Sequence, residues 1–386
     1  MTAEVEARAP RRPLRTALLA LPMLLLTFFF LTGGRLPSDP KSLIALVVTY
    51  AFVNVLFVLM IHTGRTDRYR ATFFVIYAVL FSVSFIAHMI EARGSMSIAD
   101  DEILAGRTPF CHIVITMTLI PAALGKTIIF PGTITKAYAS VAGMLVIWIG
   151  ASLALGRGWC SWGCFFGGWD DGFSRLLKKP LIRNLSPKWS YLPYGVLLAV
   201  ALTSAAVLSP TYCVWVCPFK AVSEYVPVTS VETLIQAIIF ITLFAGLAVA
   251  LPFLTKRRTQ CSMLCPFGAL QSFTNPINAF EVRIDPAQCK KCRLCVNNCP
   301  TFSLDQGSLE GKGAGITCVK CGKCVDACPR GAAYFHIKGT PLLRSAETGR
   351  LLFLYAAVLF MTTFAGGTIQ NALMRIMNLL VTGRIV

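Results

Sequence analysis

Eight cysteines between residues 289 and 328 form two runs with identical spacing. In each run, gaps of two, two and three residues separate four cysteines, and a proline follows the fourth. The runs are Cys289, Cys292, Cys295 and Cys299 before Pro300, and Cys318, Cys321, Cys324 and Cys328 before Pro329. Zinc sites normally show separated pairs of ligands, and structural disulfides need an oxidising compartment. Neither explains the doubled pattern.

The spacing is that of bacterial double-cubane ferredoxins. There, three close thiolates bind one [4Fe-4S] cluster and the fourth cysteine of the run binds the other cluster. We therefore predict two crosswise [4Fe-4S] clusters within a small ferredoxin-type α+β module over residues 282–340. The first set would be Cys289, Cys292, Cys295 and Cys328, and the second Cys318, Cys321, Cys324 and Cys299.

The rest of the chain has the composition of a membrane protein. Hydrophobic residues make up 55% of the sequence and charged residues only 14%, whereas soluble domains carry about 25% charged residues. We predict a mainly α, polytopic helical membrane protein with about seven spans of bilayer length. They lie at roughly 14–33, 43–62, 71–90, 137–156, 191–209, 233–254 and 350–368. The transmembrane domain would cover 1–281, and a C-terminal transmembrane helix and tail would cover 341–386.

Basic residues in the short loops predict the orientation. Arginines before the first span place the N-terminus inside, and the acidic segment 91–110 falls outside. The apolar stretch 111–130 contains Pro121 and Lys126, so we expect it to be re-entrant and surrounded by protein. The poor cleavage site at Gly33–Pro37 favours a retained first helix over a signal peptide. These expectations describe a bacterial inner-membrane protein whose N-terminus and ferredoxin module are cytoplasmic.

Six further cysteines form three Cys-x3-Cys pairs, each beside the end of a predicted span. A four-residue spacing places both sulfurs on one face of a helical turn, so one pair can bind one metal centre. Buried cysteines can also act as small hydrophobic residues, but three matched pairs with a shared phenylalanine favour metal binding. Nearby basic residues would lower the thiol pKa values and offset cluster charge; they are Arg157, Lys220, Arg257 and Arg258.

The predicted topology sorts these pairs into two centres. The inner-face centre would use four thiolates, those of Cys160, Cys164, Cys261 and Cys265, which is the number that an iron–sulfur cluster needs. The outer-face centre would use Cys213 and Cys217 with Cys111 and possible help from His112. The alternatives left open are bound copper, redox-active disulfides for the outer pair, and simple packing of Cys111 and His112.

Two segments and both ferredoxin runs carry a family resemblance. The segments are Gly156-Arg157-Gly158-Trp159-Cys160 and Cys265-Pro266-Phe267-Gly268-Ala269-Leu270-Gln271. Over residues 137 to 340 the chain resembles the NapH/NosR/CcoG group of membrane polyferredoxins. The resemblance implies electron traffic between cytoplasmic clusters, the membrane and a periplasmic acceptor. The chain departs from the group's pattern in having three Cys-x3-Cys pairs rather than two, and Phe165 where proline is usual.

We predict an electron-transfer protein, a subunit of an oxidoreductase system with no catalytic residues of its own. Intermediate centres are needed because a hydrocarbon core about 30 Å thick is too wide for one tunnelling step. Expected partners are the lipid bilayer, a cytoplasmic donor or acceptor protein, and a periplasmic redox protein or quinone, within a multi-subunit complex. Despite the net charge of +18, no groove-reading element suggests nucleic acid.

Two other functions fit the sequence. A quinol-dehydrogenase subunit could handle protons through His88 with Glu91, or through Asp170 and Asp171. A copper-handling or copper-reducing assembly factor could bind Cu(I) at the Cys-x3-Cys pairs, because thiolates suit this soft ion.

Overall fold

The computed structural model describes residues 12–91, 111–125, 141–183, 185–223, 228–341 and 346–384. Within these residues the protein is mainly helical, with one small sheet. The first seven helices in the described residues are α1 Pro13–Thr32, α2 Pro40–Thr63, α3 Thr66–Glu91, α4 Ile115–Gly125, α5 Val141–Leu155, α6 Trp159–Trp162 and α7 Phe165–Phe173. The next six are α8 Leu192–Val207, α9 Lys220–Ser223, α10 Val231–Leu243, α11 Leu251–Thr255, α12 Thr259–Met263 and α13 Pro266–Thr274.

Five helical stretches in the described residues are long and apolar enough to cross a membrane. They are Pro13–Thr32, Pro40–Thr63, Pro187–Val207, Val231–Thr255 and Ala346–Thr382. The stretch Val231–Thr255 joins α10 to α11 through a π-helical turn, Phe244–Ala250. All five overlap predicted spans, so this part of the membrane architecture agrees with the sequence analysis.

The other two predicted spans fall in helices outside this group of five. The span at 71–90 lies within α3, whose first turns carry Asp67 and Arg70. Of the span at 137–156, the described residues form α5, whose 15 residues extend about 23 Å. This is shorter than a hydrocarbon core of about 30 Å. The count of seven spans therefore stays a prediction.

The predicted re-entrant stretch contains a short helix, as far as it is described. A 3₁₀ turn at His112–Val114 leads into α4, which has 11 residues and contains Pro121. This length cannot cross a bilayer. Residues 112–118 are buried, and α4 packs against α8. The segments 92–110 and 126–140, and the side chains of His88 and Glu91, lie outside the described residues.

The two cysteine runs lie between two short antiparallel strands. Strand β1 is Phe280–Ile284 and β2 is Ala333–Ile337, and Val282 pairs with Phe335. Helices α14, Leu294–Asn298, and α15, Lys323–Ala327, carry the third cysteine of each run and pack together. Helix α16, Ala346–Thr382, then leads back along α1, α2 and α3.

Buried contacts attach the cysteine-rich unit firmly to the helical domain. The Asp326 carboxylate on α15 accepts hydrogen bonds from the Thr66 and Asp67 amides, at 3.0 and 2.7 Å, and so caps α3. The Phe353 ring on α16 stacks on Phe335 of β2, with a centroid distance of 4.4 Å. The Phe353 ring also packs edge-on against the Trp162 ring, with a centroid distance of 5.5 Å. The unit is therefore part of one packed body with the membrane helices.

The cap supplied by Asp326 gives a test of this attachment. Loss of an N-cap carboxylate costs about 1 kcal/mol and leaves two buried amides unpaired. Asp326→Ala should therefore lower the temperature at which iron–sulfur absorbance is lost on heating. Asp305→Ala is the matched control, because the Asp305 carboxylate caps only the local turn at Ser308. Equal midpoints for Asp326→Ala and the wild type would contradict the attachment.

Candidate iron–sulfur centres

Electrostatic contacts divide the eight ferredoxin-type cysteines into two groups. Cys295 interacts with Cys328, Cys289 and Cys292. Cys324 interacts more strongly with Cys321, Cys318 and Cys299 than with Cys295. The fourth cysteine of each run thus lies beside the three close cysteines of the other run. This is the arrangement that crosswise ligation requires, although the ligand assignment itself remains a prediction.

Burial makes these thiols poor anions unless positive charge accompanies them. It raises the pKa of the Cys295 thiol to about 11 and that of the Cys321 thiol to about 12. Clustered thiolates repel one another as well, so a site of this kind needs cations to hold it together. Iron ions would supply that charge, and backbone N–H groups donate to Cys289 Sγ at 3.4 Å and to Cys299 Sγ at 3.3 Å. The donor set fits a [4Fe-4S] cluster in each group.

The predicted inner-face cysteines also come together, from two distant parts of the chain. Cys164 interacts with Cys160 and Cys265, and Cys261 interacts with Cys265 and Cys164. All four are buried. Each pair begins in a short helix, α6 or α12, and ends at an extended residue before the next helix. We call these four residues the inner set.

Two buried arginines cross between the halves of the inner set. Arg157 Nη2 donates to the Cys261 carbonyl oxygen at 3.1 Å, and Arg258 Nη2 donates to the Cys160 carbonyl oxygen at 2.6 Å. Each arginine stands three residues before the first cysteine of its own pair and binds the other pair. Burial raises the pKa of the Cys160 thiol, and both arginines lower it in part.

The sequence analysis named these arginines but missed their reciprocal roles. The signal is the shared pattern Arg-x-x-Cys-Ser-x-x-Cys-x-Phe-Gly, which ends at Gly167 and at Gly268. A Cβ atom at Gly167 would lie 2.4 Å from the Cys160 carbonyl oxygen, and one at Gly268 would lie 2.9 Å from that of Cys261. Glycine is required because the backbones approach so closely. The third pair has Pro210 in place of the arginine and Lys220 in place of the glycine.

Asp170 and Asp171, the two aspartates considered for proton handling, form hydrogen bonds and ion pairs next to the inner set. Asp170 accepts a hydrogen bond from the Cys261 amide at 2.9 Å, and burial raises its pKa to about 7. Asp171 forms a buried ion pair with Arg70 at 2.8 Å and a second with Arg175 at 3.1 Å. Asp67 completes this network, because it pairs with the same two arginines.

Arg70 also connects the second ferredoxin run to the inner set. Its Nε donates to the Cys321 carbonyl oxygen and its Nη1 to the Ser161 carbonyl oxygen, both at 3.1 Å. A second bridge runs from Trp162 Nε1 to the Lys320 carbonyl oxygen, also at 3.1 Å. The loops of the two cysteine groups are thus joined by buried hydrogen bonds, and one continuous buried cluster contains Cys321, Cys160, Cys164 and Cys265.

Cysteines of the predicted outer-face centre interact electrostatically with the inner set, and their position relative to the bilayer stays a prediction. Cys111 interacts with Cys217 and with Cys265. Tyr212 interacts with Cys213 as well as with these three cysteines. We call Cys111, Cys213 and Cys217 the second set. Hydropathy alone did not predict this proximity, because it does not reveal how deeply a loop folds back.

Two features bring the second set close to the inner set. The chain turns back after α8, where the Thr211 and Ser204 hydroxyls lie 2.6 Å apart. The phenylalanines that follow the cysteine pairs then meet, and the Phe166 and Phe219 centroids are 4.1 Å apart. The His112 ring packs 4.6 Å from Phe267, and its Nε2 has no hydrogen-bond partner among the described residues.

The described part of the chain contains no group of three or more His, Cys, Asp or Glu side chains that could hold a single metal ion. A cubane cluster differs from a single ion because each thiolate binds a separate iron atom. Its ligands therefore surround the cluster instead of converging on one point.

Comparison with protein families identifies the class of domain in this chain. A 4Fe-4S dicluster domain matches residues 281–329. A 4Fe-4S binding domain matches three times, at residues 137–184, 190–227 and 237–279. Each of these three copies contains one Cys-x3-Cys pair. The chain thus contains ferredoxin-type 4Fe-4S domains along most of the region between residues 137 and 329.

Two curated proteins are similar to parts of the chain. "Putative electron transport protein YccM" of Escherichia coli (strain K12) is 28% identical over 176 residues, which cover 44% of this chain and 48% of that protein. "Uncharacterized protein MJ0750" of Methanocaldococcus jannaschii is 26% identical over 175 residues, or 42% of this chain and 68% of that protein. The chain thus spans about half the length of the first relative. No solved structure matches the chain.

The reciprocal arginines predict a specific loss of iron. Arg258→Gln removes a buried cation beside the inner set, so the inner centre should fail to assemble and about four irons per chain should be lost. The EPR signals of the two ferredoxin-type clusters should remain. Arg68→Gln is the matched control, because Arg68 is exposed on α3. An unchanged iron content in Arg258→Gln would contradict the role given to this residue.

Proposed function

We propose that this protein is a membrane-bound iron–sulfur electron-transfer protein that passes single electrons between cytoplasmic clusters and the membrane or periplasmic side. Two [4Fe-4S] clusters would be bound by the crosswise ferredoxin sets. The inner set would bind a third centre. The second set, with His112 beside it, would bind a fourth centre or a copper ion. The ferredoxin-type domains and the relative named for electron transport support this proposal.

The observation that carries the proposal is the junction at Arg70 and Trp162. Electron transfer needs redox centres that are close and held rigidly, because mobile or distant centres exchange electrons slowly. Hydrogen bonds from Arg70 and Trp162 fix the Lys320–Cys321 loop against the Ser161–Trp162 loop. A buried ion pair with Asp171 holds the Arg70 guanidinium itself in place.

The arrangement gives an order for the relay. Electrons would pass from the first ferredoxin cluster to the second, then to the inner set, and then to the second set beside Cys265. In the proposed orientation the ferredoxin module faces the cytoplasm of a bacterial inner membrane. A periplasmic redox protein or a quinone would then exchange electrons with the second set. The direction of flow depends on these partners.

Vesicles test whether this relay conducts across a bilayer. Ferricyanide is sealed inside phospholipid vesicles that hold the protein, and titanium(III) citrate is added outside. Each Ti(III) loses one electron and each ferricyanide gains one, so the loss of ferricyanide colour reports conduction. Cys265→Ser should lower the rate to that of protein-free vesicles, because it interrupts the inner set next to Cys111.

Met263→Leu is the control for this experiment. It changes a buried side chain between Cys261 and Cys265. The substitution conserves volume and removes no thiol. It should conduct like the wild type. If wild-type vesicles conduct no faster than empty ones while the ferredoxin clusters are fully reduced, conduction across the membrane is disproved.

A cavity beside α3 supports quinol oxidation as a second candidate function. Its volume is about 650 Å³, within the range of about 300–1,000 Å³ of small-molecule sites. Five of its nine lining residues are charged, namely Arg65, Asp67, Arg68, Arg175 and Asp326, and the others are Ala71, Thr72, Val75 and Ile76. Asp67 pairs with Arg70, which binds the Cys321 carbonyl oxygen. A quinol head in this cavity would lie near the second ferredoxin cluster.

Filling the cavity tests this second candidate. Val75→Phe should slow cluster reduction by a short-chain menaquinol analogue, because the larger ring occupies the cavity. Reduction by dithionite should be unaffected. Val79→Phe, one helical turn further along at an exposed position, serves as the control. Equal rates in the two variants would exclude this cavity as the quinol site.

A further inference from the structure

The two ferredoxin-type sites differ in what covers them. The second run faces the helical domain, because Val319, Lys320 and Cys321 are all buried. The Trp162 indole and the Arg70 guanidinium donate hydrogen bonds to carbonyl oxygens of this loop. The corresponding loop of the first run faces outward. Cys292 is the exposed cysteine among the fifteen. The first site is therefore where a soluble partner can reach the cysteines.

The exposed loop has a basic rim. Lys290, Lys291 and Arg293 immediately flank Cys292, and all three side chains are exposed. Three positive charges next to one another repel, so the fold alone does not favour them. They would attract an acidic surface and hold it against the accessible edge of the first cluster.

The backbone at Arg293 strengthens this interpretation. The two runs are related residue by residue, and Arg293 corresponds to Gly322. Both adopt a left-handed conformation, with φ of 61° at Arg293 and 83° at Gly322. Glycine adopts this conformation freely, whereas an arginine there is strained. The exposed loop therefore keeps a cation at a position where the buried loop has the residue that the backbone prefers.

We propose that Lys290, Lys291 and Arg293 form a docking surface for an acidic, one-electron carrier protein at the first cluster. This inference rests on the proposed electron-transfer function and specifies its cytoplasmic partner. In each encounter one electron would pass between the carrier and a cluster held by Cys289, Cys292, Cys295 and Cys328. No bond is made or broken, and no proton moves. Anionic lipid is the other ligand that a basic rim attracts, and the test separates the two.

Two forms of one haem protein, with the same haem but opposite net charge, serve as electron acceptors in the test. Native cytochrome c is basic, and succinylation of its lysines makes it acidic. The full chain is held in phosphatidylcholine nanodiscs, reduced with dithionite, freed of excess reductant and mixed with each acceptor in a stopped-flow instrument. At low ionic strength the wild type should reduce the succinylated form at least about tenfold faster than the native form, and salt should remove this difference.

Charge reversal then locates the effect. The rim variant Lys290→Glu, Lys291→Glu, Arg293→Glu should lose the preference for the acidic acceptor. The matched control reverses Lys178, Lys179 and Lys188, which are exposed elsewhere and change the net charge equally, and it should keep the preference. Arg293→Gly should weaken the preference while the cluster signals stay intact, because glycine suits this backbone position.

The outcomes are distinct. Equal rates with both acceptors, or equal effects of the rim variant and the control triple variant, would overturn the docking surface. The basic rim would then bind anionic lipid or no ligand. If clusters that dithionite has reduced transfer electrons to neither acceptor, the proposed function itself fails.

Discussion

Positive charge beside buried sulfur is the constraint on which this structure depends. Cysteine thiolates in a low-dielectric interior repel one another and lose their hydration, so they cannot remain charged without cations nearby. The protein places Arg157 and Arg258 at the inner set, and each reaches the backbone of the opposite cysteine pair. The same contacts that balance charge also hold the two pairs together. Folding of this region and assembly of the proposed inner centre would therefore be linked.

A second group of buried charges ties this centre to the ferredoxin-type sites. Asp67, Asp171, Arg70 and Arg175 neutralise one another, and Arg70 has two donors left for carbonyl groups of both cysteine loops. Breaking a buried ion pair by removing one partner commonly costs about 3–5 kcal/mol. Such a network resists local opening, and that rigidity suits neighbouring redox centres that must keep a fixed separation.

Much of this architecture could be predicted from spacing and hydropathy. The two ferredoxin runs predicted crosswise proximity, and the structure places Cys328 and Cys299 accordingly. The repeated Cys-x3-Cys pairs predicted that Cys160 and Cys164 approach Cys261 and Cys265. The ion network could not be predicted in this way, because Arg70 and Asp171 are far apart in sequence. Nor could the electrostatic interaction between Cys111 and Cys265, since it depends on the depth of a loop.

Iron and acid-labile sulfide, quantified together with EPR on the purified full chain, test the central claim most directly. Two ferredoxin-type clusters, the inner centre and a possible fourth centre predict about twelve to sixteen irons per chain, with matching sulfide. About eight irons, with the Cys-x3-Cys pairs binding copper or forming disulfides, would contradict a continuous iron–sulfur relay.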